Sequence, residues 1–166
     1  MTIQGVSAAD TVIDASAVND RVLSAFQAGY ATIENVTLQG GNVTGAGGGI
    51  FAQETDLTLN GVVLDANHAS WAGGGLFISP DDLAYLYDVT FTGNSAGSKG
   101  GGMYVGDNSM VNIANSRFQQ NFIVTSGVPE QGGALFVEGN LQATKTIFSD
   151  NTAVEGGAVF LSLIHI

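Results

Sequence analysis

Apolar positions along this chain come in short sets with one fixed internal spacing. Ile33, Val36 and Leu38 are three and then two positions apart, and the same steps recur in Leu59/Val62/Leu64, Leu86/Val89/Phe91, Ile113/Ser116/Phe118 and Ala143/Thr146/Phe148. A step of two keeps both side chains on one face of a strand. A step of three reverses parity, so the chain must turn a corner inside it. Asn35, Gly61, Asp88, Asn115 and Lys145 occupy those gaps. No stretch carries a helical period, so the elements are short strands joined by corners.

Two further blocks alternate with this one. A glycine doublet leads three strand-like residues in Gly48-Gly49-Ile50-Phe51-Ala52, Gly74-Gly75-Leu76-Phe77-Ile78 and Gly101-Gly102-Met103-Tyr104-Val105. It recurs, with one added Ala, in Gly132-Gly133-Ala134-Leu135-Phe136-Val137 and Gly156-Gly157-Ala158-Val159-Phe160-Leu161. Between the doublets stand Leu64-Asp65-Ala66-Asn67, Phe91-Thr92-Gly93-Asn94, Phe118-Gln119-Gln120-Asn121 and Phe148-Ser149-Asp150-Asn151, with Leu38–Asn42 as a looser copy carrying one extra residue. Starting from Asn42, successive asparagines are 25, 27, 27 and 30 residues apart. Each unit then holds three short strands: the glycine-led one, a middle one such as Leu57-Thr58-Leu59, and the one ending at Leu or Phe. Three strands per turn at near-constant length coil into an all-β parallel β-helix, a solenoid of five to six turns over residues 1–161. Turns stacked at about 4.8 Å give a rod roughly 25–30 Å long. Asn67, Asn94, Asn121 and Asn151 are expected to stack as a ladder, each amide bonding the turns above and below.

The alternation of a glycine doublet, an aliphatic and an aromatic residue with a Phe-or-Leu-x-x-Asn block resembles the polymorphic outer-membrane-protein repeat. It is also similar to the right-handed β-helix arrays of bacterial secreted proteins that carry the CSLREA domain. Thr2-Ile3-Gln4-Gly5 and Thr11-Val12-Ile13-Asp14 look like the first turn of such arrays. The resemblance implies right-handedness, an extracellular or cell-surface (outer-membrane) location, and an adhesin or autotransporter-passenger role. It implies no catalytic residue. Two departures stand out: Gln39 lies where the array has Leu or Phe, and Ile123 lies where Ala69, Ala96 and Ala153 stand in other copies. The chain reads as a segment of a longer repeat protein, truncated at both ends. Residues 162–166 match the translation of a transposon end used as a sequencing adaptor, and are set aside as an artefact.

Composition narrows the chemistry. The chain has 166 residues, with 4 Lys plus Arg against 15 Asp plus Glu, a formal net charge of −11. Four cations cannot neutralise a phosphate backbone, so nucleic acid is excluded as a partner. There is no Cys, and no apolar run is long enough to span a bilayer. Asp81-Asp82 is the only acidic doublet, and its place beside Ser79-Pro80 makes it a solvated turn. Neither the Gly-His-Gly nor the Arg-x-Lys of polygalacturonases occurs. Lyase chemistry needs a base, and Arg21, Lys99, Arg117 and Lys145 are the available cations; Arg117, outward by alternation, and Lys145, in a corner, could serve a groove but read as lone solvated charges. Asp14, Asp56, Asp65, Asp107 and Asp150 are scattered, and His68 reads as a surface residue. No metal, cofactor or catalytic residue is expected.

The candidate binding residues are aromatic. Phe51, Phe77, Tyr104, Phe136 and Phe160 hold one position in five consecutive units, between aliphatic neighbours. With the aliphatics inward, the rings face outward. They form either an exposed stripe that meets sugar rings or a protein partner, or a stack that steadies neighbouring turns or lies under a connection. Trp71 and the long connection Phe122–Gln131 fall on the Asn-to-Gly edge of each unit and are expected to form one patch. The expected function is non-catalytic binding to a glycan or a host cell-surface protein, with self-association through the open end turns. The alternative is part of a pectate-lyase-like, polysaccharide-active enzyme.

Overall fold

A computed structural model describes residues 1–124 and 130–162. All of its regular elements are strands, and every strand pairing is parallel. One complete turn runs through Leu76–Ile78, Leu83–Tyr87, Thr90–Thr92 and Ser95–Ala96. Each strand pairs with its equivalents in the turns above and below. The result is a ten-stranded sheet holding the first two strands of each turn, a six-stranded sheet holding the third, and a four-stranded sheet holding the fourth. The two-residue fourth strand adds to the three strands the spacing predicts. It is short because Asn67 and the following glycines bend the chain away on either side. In the first two full turns the first two strands fuse into one, Leu23–Glu34 and then Ile50–Asn60.

The predicted corners are left-handed residues: Asn35, Gly61, Asp88, Asn115 and Lys145 have φ of 56°, 62°, 53°, 52° and 50°. Gly, Asn and Asp tolerate this conformation, which explains four of the five residue types; Lys145 pays the usual penalty of a side chain there. The glycine runs serve close approach. Gly73 has φ of +64°, and a Cβ on Gly74 would sit 2.2 Å from the Ser95 carbonyl oxygen of the next turn.

The coil is filled by the aliphatic sets. Ile33, Leu59, Leu86 and Ile113 form one buried column; Leu38, Leu64, Phe91 and Phe118 form another, which Phe148 continues. Inside it, Phe91 and Phe118 stack at 4.3 Å, and Phe118 and Phe148 at 5.1 Å. The register corrects the departure expected at Gln39. Leu38 pairs with Leu64, so the apolar place is filled and Gln39 pairs with Asp65.

Asn67, Asn94, Asn121 and Asn151 form a continuous ladder at the corner after the third strand. The Asn94 Nδ2 donates to the Leu64 carbonyl at 2.8 Å and to Asn121 Oδ1 at 2.9 Å, while its backbone N–H donates to the same Oδ1 at 3.1 Å. Asn67 and Asn121 repeat this pattern. Each amide thereby satisfies its own buried hydrogens and two donors of the preceding turn. The ladder starts from Gly41, whose N–H donates to Asn67 Oδ1 at 2.9 Å. Asn42 lies one place beyond, paired with His68.

Candidate binding surfaces

Phe51, Phe77, Tyr104, Phe136 and Phe160 stand on the outside of the first strand in five stacked turns. Successive centroids are 5.3, 4.7, 5.6 and 5.3 Å apart, and the rings are within 5° of parallel. The expectation of an exposed stripe is corrected here. Phe77, Tyr104 and Phe136 are buried, and Phe51 and Phe160 are partly so. The cause is the connection between each Asn and its glycine run, which folds back across the rings. Ala46 and Ala72, small and buried, lie on the stack, and single parallel bridges link Ala46, Ala72, Lys99, Gln131 and Glu155 in successive turns. The rings thus form a second, satellite core.

Charged side chains close that core. The Arg21 guanidinium lies 4.9 Å from the Phe51 centroid and donates to the Ala46 carbonyl at 3.3 Å. The Lys99 ammonium lies 4.3 Å from the Phe136 centroid and pairs with Glu138 Oε1 at 3.1 Å. The other Glu138 oxygen accepts from the Tyr104 hydroxyl. Burial first, and then the Glu138 carboxylate, hold that hydroxyl well above the ordinary tyrosine value.

Trp71 is an aromatic residue left open on this edge. It is 47% exposed, yet its ring is wedged against Phe77 and Tyr104 at 5.8 and 5.9 Å. Its backbone is fixed on both sides: its N–H donates to the Gly45 carbonyl at 2.8 Å, and its own carbonyl accepts from Ser98 at 2.9 Å. The structure brings exposed Phe122 and Val124 to the same edge, two turns further along the rod. The rest of the Phe122–Gln131 connection, Thr125 to Pro129, lies outside the described residues, as do Leu163 to Ile166.

A second polar ladder, not anticipated from the spacing, crosses the bend between the first two strands. Thr55 N–H donates to Asp82 Oδ1 at 3.0 Å, and Asp82 N–H donates to Ser109 Oγ at 3.3 Å. Asp82 is therefore not a solvated turn residue. It is 5% exposed, and its Oδ2 has no hydrogen-bond partner. Burial raises its carboxyl above the usual range, opposed by the Thr55 N–H and reinforced by the Asp56 and Glu54 charges. Asp81, beside it, is the exposed turn residue, with φ of 66°. His68 Nδ1 meets Ser95 Oγ at 2.9 Å on the fourth-strand face, and burial lowers its affinity for a proton. Among the described residues, no three His, Asp or Glu side chains gather into a group that holds a metal. Among the same residues, no helix is long and apolar enough to cross a membrane.

Stacked parallel strands, a polar ladder at the corner and a continuous aliphatic interior define a β-helix scaffold. The match to the family of right-handed beta helix regions covers residues 21–163, and the chain belongs to that family. No curated protein and no solved structure matches it.

Proposed function

We propose that this stretch of β-helix is a non-catalytic binding segment of a secreted or surface-exposed protein. In this reading it is adhesin- or autotransporter-passenger-like, and it holds a cell-surface partner on its Asn-to-Gly edge. Trp71 carries the reading. A large ring, half exposed and immobilised against two buried rings, loses little conformational freedom on binding and offers a wide apolar contact. Phe122 and Val124 extend that contact along the rod. The five stacked rings beneath serve as its foundation and do not touch the partner directly.

The test is retention of the purified chain on host cells. Trp71→Ala lowers retention roughly tenfold or more, while the chain stays folded and the thermal midpoint falls by only a few degrees, because about half of the ring is already exposed and the other half packs on Phe77 and Tyr104. Unchanged retention with an intact fold removes the reading. The pectate-lyase-like alternative has one observation in its favour, the raised carboxyl of Asp82. Against it, Oδ1 and the backbone N–H of Asp82 are both committed to the bend ladder, inside the wall.

A further inference from the structure

The second strands of successive turns form an outer wall on the ten-stranded sheet. The pairing registers lay Tyr30, Asp56, Leu83, Met110 and Asn140 in one outward column. Thr32, Thr58, Tyr85, Asn112 and Gln142 form the second, and Glu34, Asn60, Tyr87, Ala114 and Thr144 the third. Tyr85 and Tyr87 lie two positions apart on one strand and on one face, about 7 Å from each other. Tyr87 is 43% exposed, and Tyr30, two turns away, is 75% exposed. The tyrosine pair is bracketed by Thr58 and Asn60 on one neighbouring strand and by Asn112 on the other.

We infer that this wall binds a neutral polysaccharide chain, with Tyr85 and Tyr87 as stacking platforms and Asn60, Thr58 and Asn112 as hydroxyl-recognising groups. A sugar ring offers an apolar face bordered by hydroxyls. Aromatic rings fit the face, and amides and alcohols, which both donate and accept, fit the border. Charge selects the class of chain. The three columns hold two charged residues, Glu34 and Asp56, both acidic, and no cation. The chain as a whole carries −11, so polyuronates and sulfated glycans are repelled. Outward columns that continue from turn to turn suit an extended chain lying across several turns. The inference shares the binding reading given above but uses a different surface, so the two stand or fall separately.

The experiment is a glycan array of neutral and acidic polysaccharides probed with the chain, followed by titration of the best neutral oligosaccharide against parent and variants. Neutral chains bind and polygalacturonate does not. Tyr85→Ala and Tyr87→Ala each weaken binding roughly tenfold, Tyr85→Phe by less than about threefold, and Trp71→Ala leaves it unchanged. Circular dichroism and the melting midpoint confirm that each variant is folded. Binding to acidic glycans only, or to none, overturns the inference. Neutral-glycan binding that survives both tyrosine variants, or that falls with Trp71→Ala, removes this wall as the site. Loss of cell retention in Trp71→Ala without any glycan binding would leave the Trp71 reading intact and overturn this one.

Discussion

Phe91, Phe118 and Phe148 stack inside the coil, whereas Phe51, Phe77, Tyr104, Phe136 and Phe160 stack outside it. The geometry is nearly the same, with near-parallel rings 4.3–5.6 Å apart in both columns. The means of burial differ. The inner rings are enclosed by three sheets that exist whatever the connections do. The outer rings are enclosed only because each Asn-to-Gly connection folds over them, bringing Ala46 and Ala72 onto the stack and Lys99 and Arg21 over its faces. Recurrence in sequence therefore identifies a stack, and what covers the stack decides whether it is core or surface.

The comparison is sharpest in paired truncations. Phe91→Ala opens a void that rigid sheets on all sides cannot close, and costs about 3–5 kcal/mol. Phe77→Ala costs clearly less, because the covering connection can settle into the gap. Denaturant midpoints of the two variants check this, and equal losses would show that the outer cover is as unyielding as the sheets. A smaller effect separates the columns by titration, since only the outer one contains an ionisable ring. The fold holds the Tyr104 hydroxyl above the ordinary tyrosine value, so its protonated form is favoured in the folded state. That contribution is complete below the unfolded tyrosine value of about 10, and it is lost as pH rises through the higher folded value. Alkaline unfolding followed by tyrosinate absorbance will show the loss in the parent and its absence in Tyr104→Phe. The smallest effect is at the lid. Lys99→Ala removes a partly exposed ion pair and a cation over Phe136, costs under about 1 kcal/mol, and costs less still at high salt; a salt-independent loss would mean that the alkyl stem, and not the charge, closes the column.

Much of the scaffold was legible in the sequence because its determinants repeat. The three-residue step marked each left-handed corner, and the recurring Asn marked a ladder that needs an amide on every turn. The fate of the aromatic column was not legible, since nothing in the glycine-led blocks says where the connection will lie. Only the alanines at 46 and 72, easily passed over as loop residues, point to contact. The bend ladder was hidden for another reason: Thr55, Asp82 and Ser109 perform one task with three residue types, so no repeat announces it. Tyr30, Tyr85 and Tyr87 form no repeat because they occupy three different columns, and their common face emerges only once the register is known.

The Phe122–Gln131 connection has a consequence for how such a molecule tolerates added sequence. Its two flanks are tied down independently: Val124 donates to the Ala96 carbonyl at 2.8 Å, and Gln131 donates to the Ser98 carbonyl at 3.0 Å. Ile123 and Gly132 are likewise bonded to the following turn, through the Thr152 and Glu155 carbonyls. Extra length inserted between those moorings does not pass into the register on either side, because each flank finds its rung without reference to the other. The entropic cost of lengthening a closed loop grows only slowly with its length. The connection is thus a socket. A peptide tag, an epitope or a small folded module placed there would be displayed at a fixed height on the rod, two turns from Trp71, while the turns above and below keep their count.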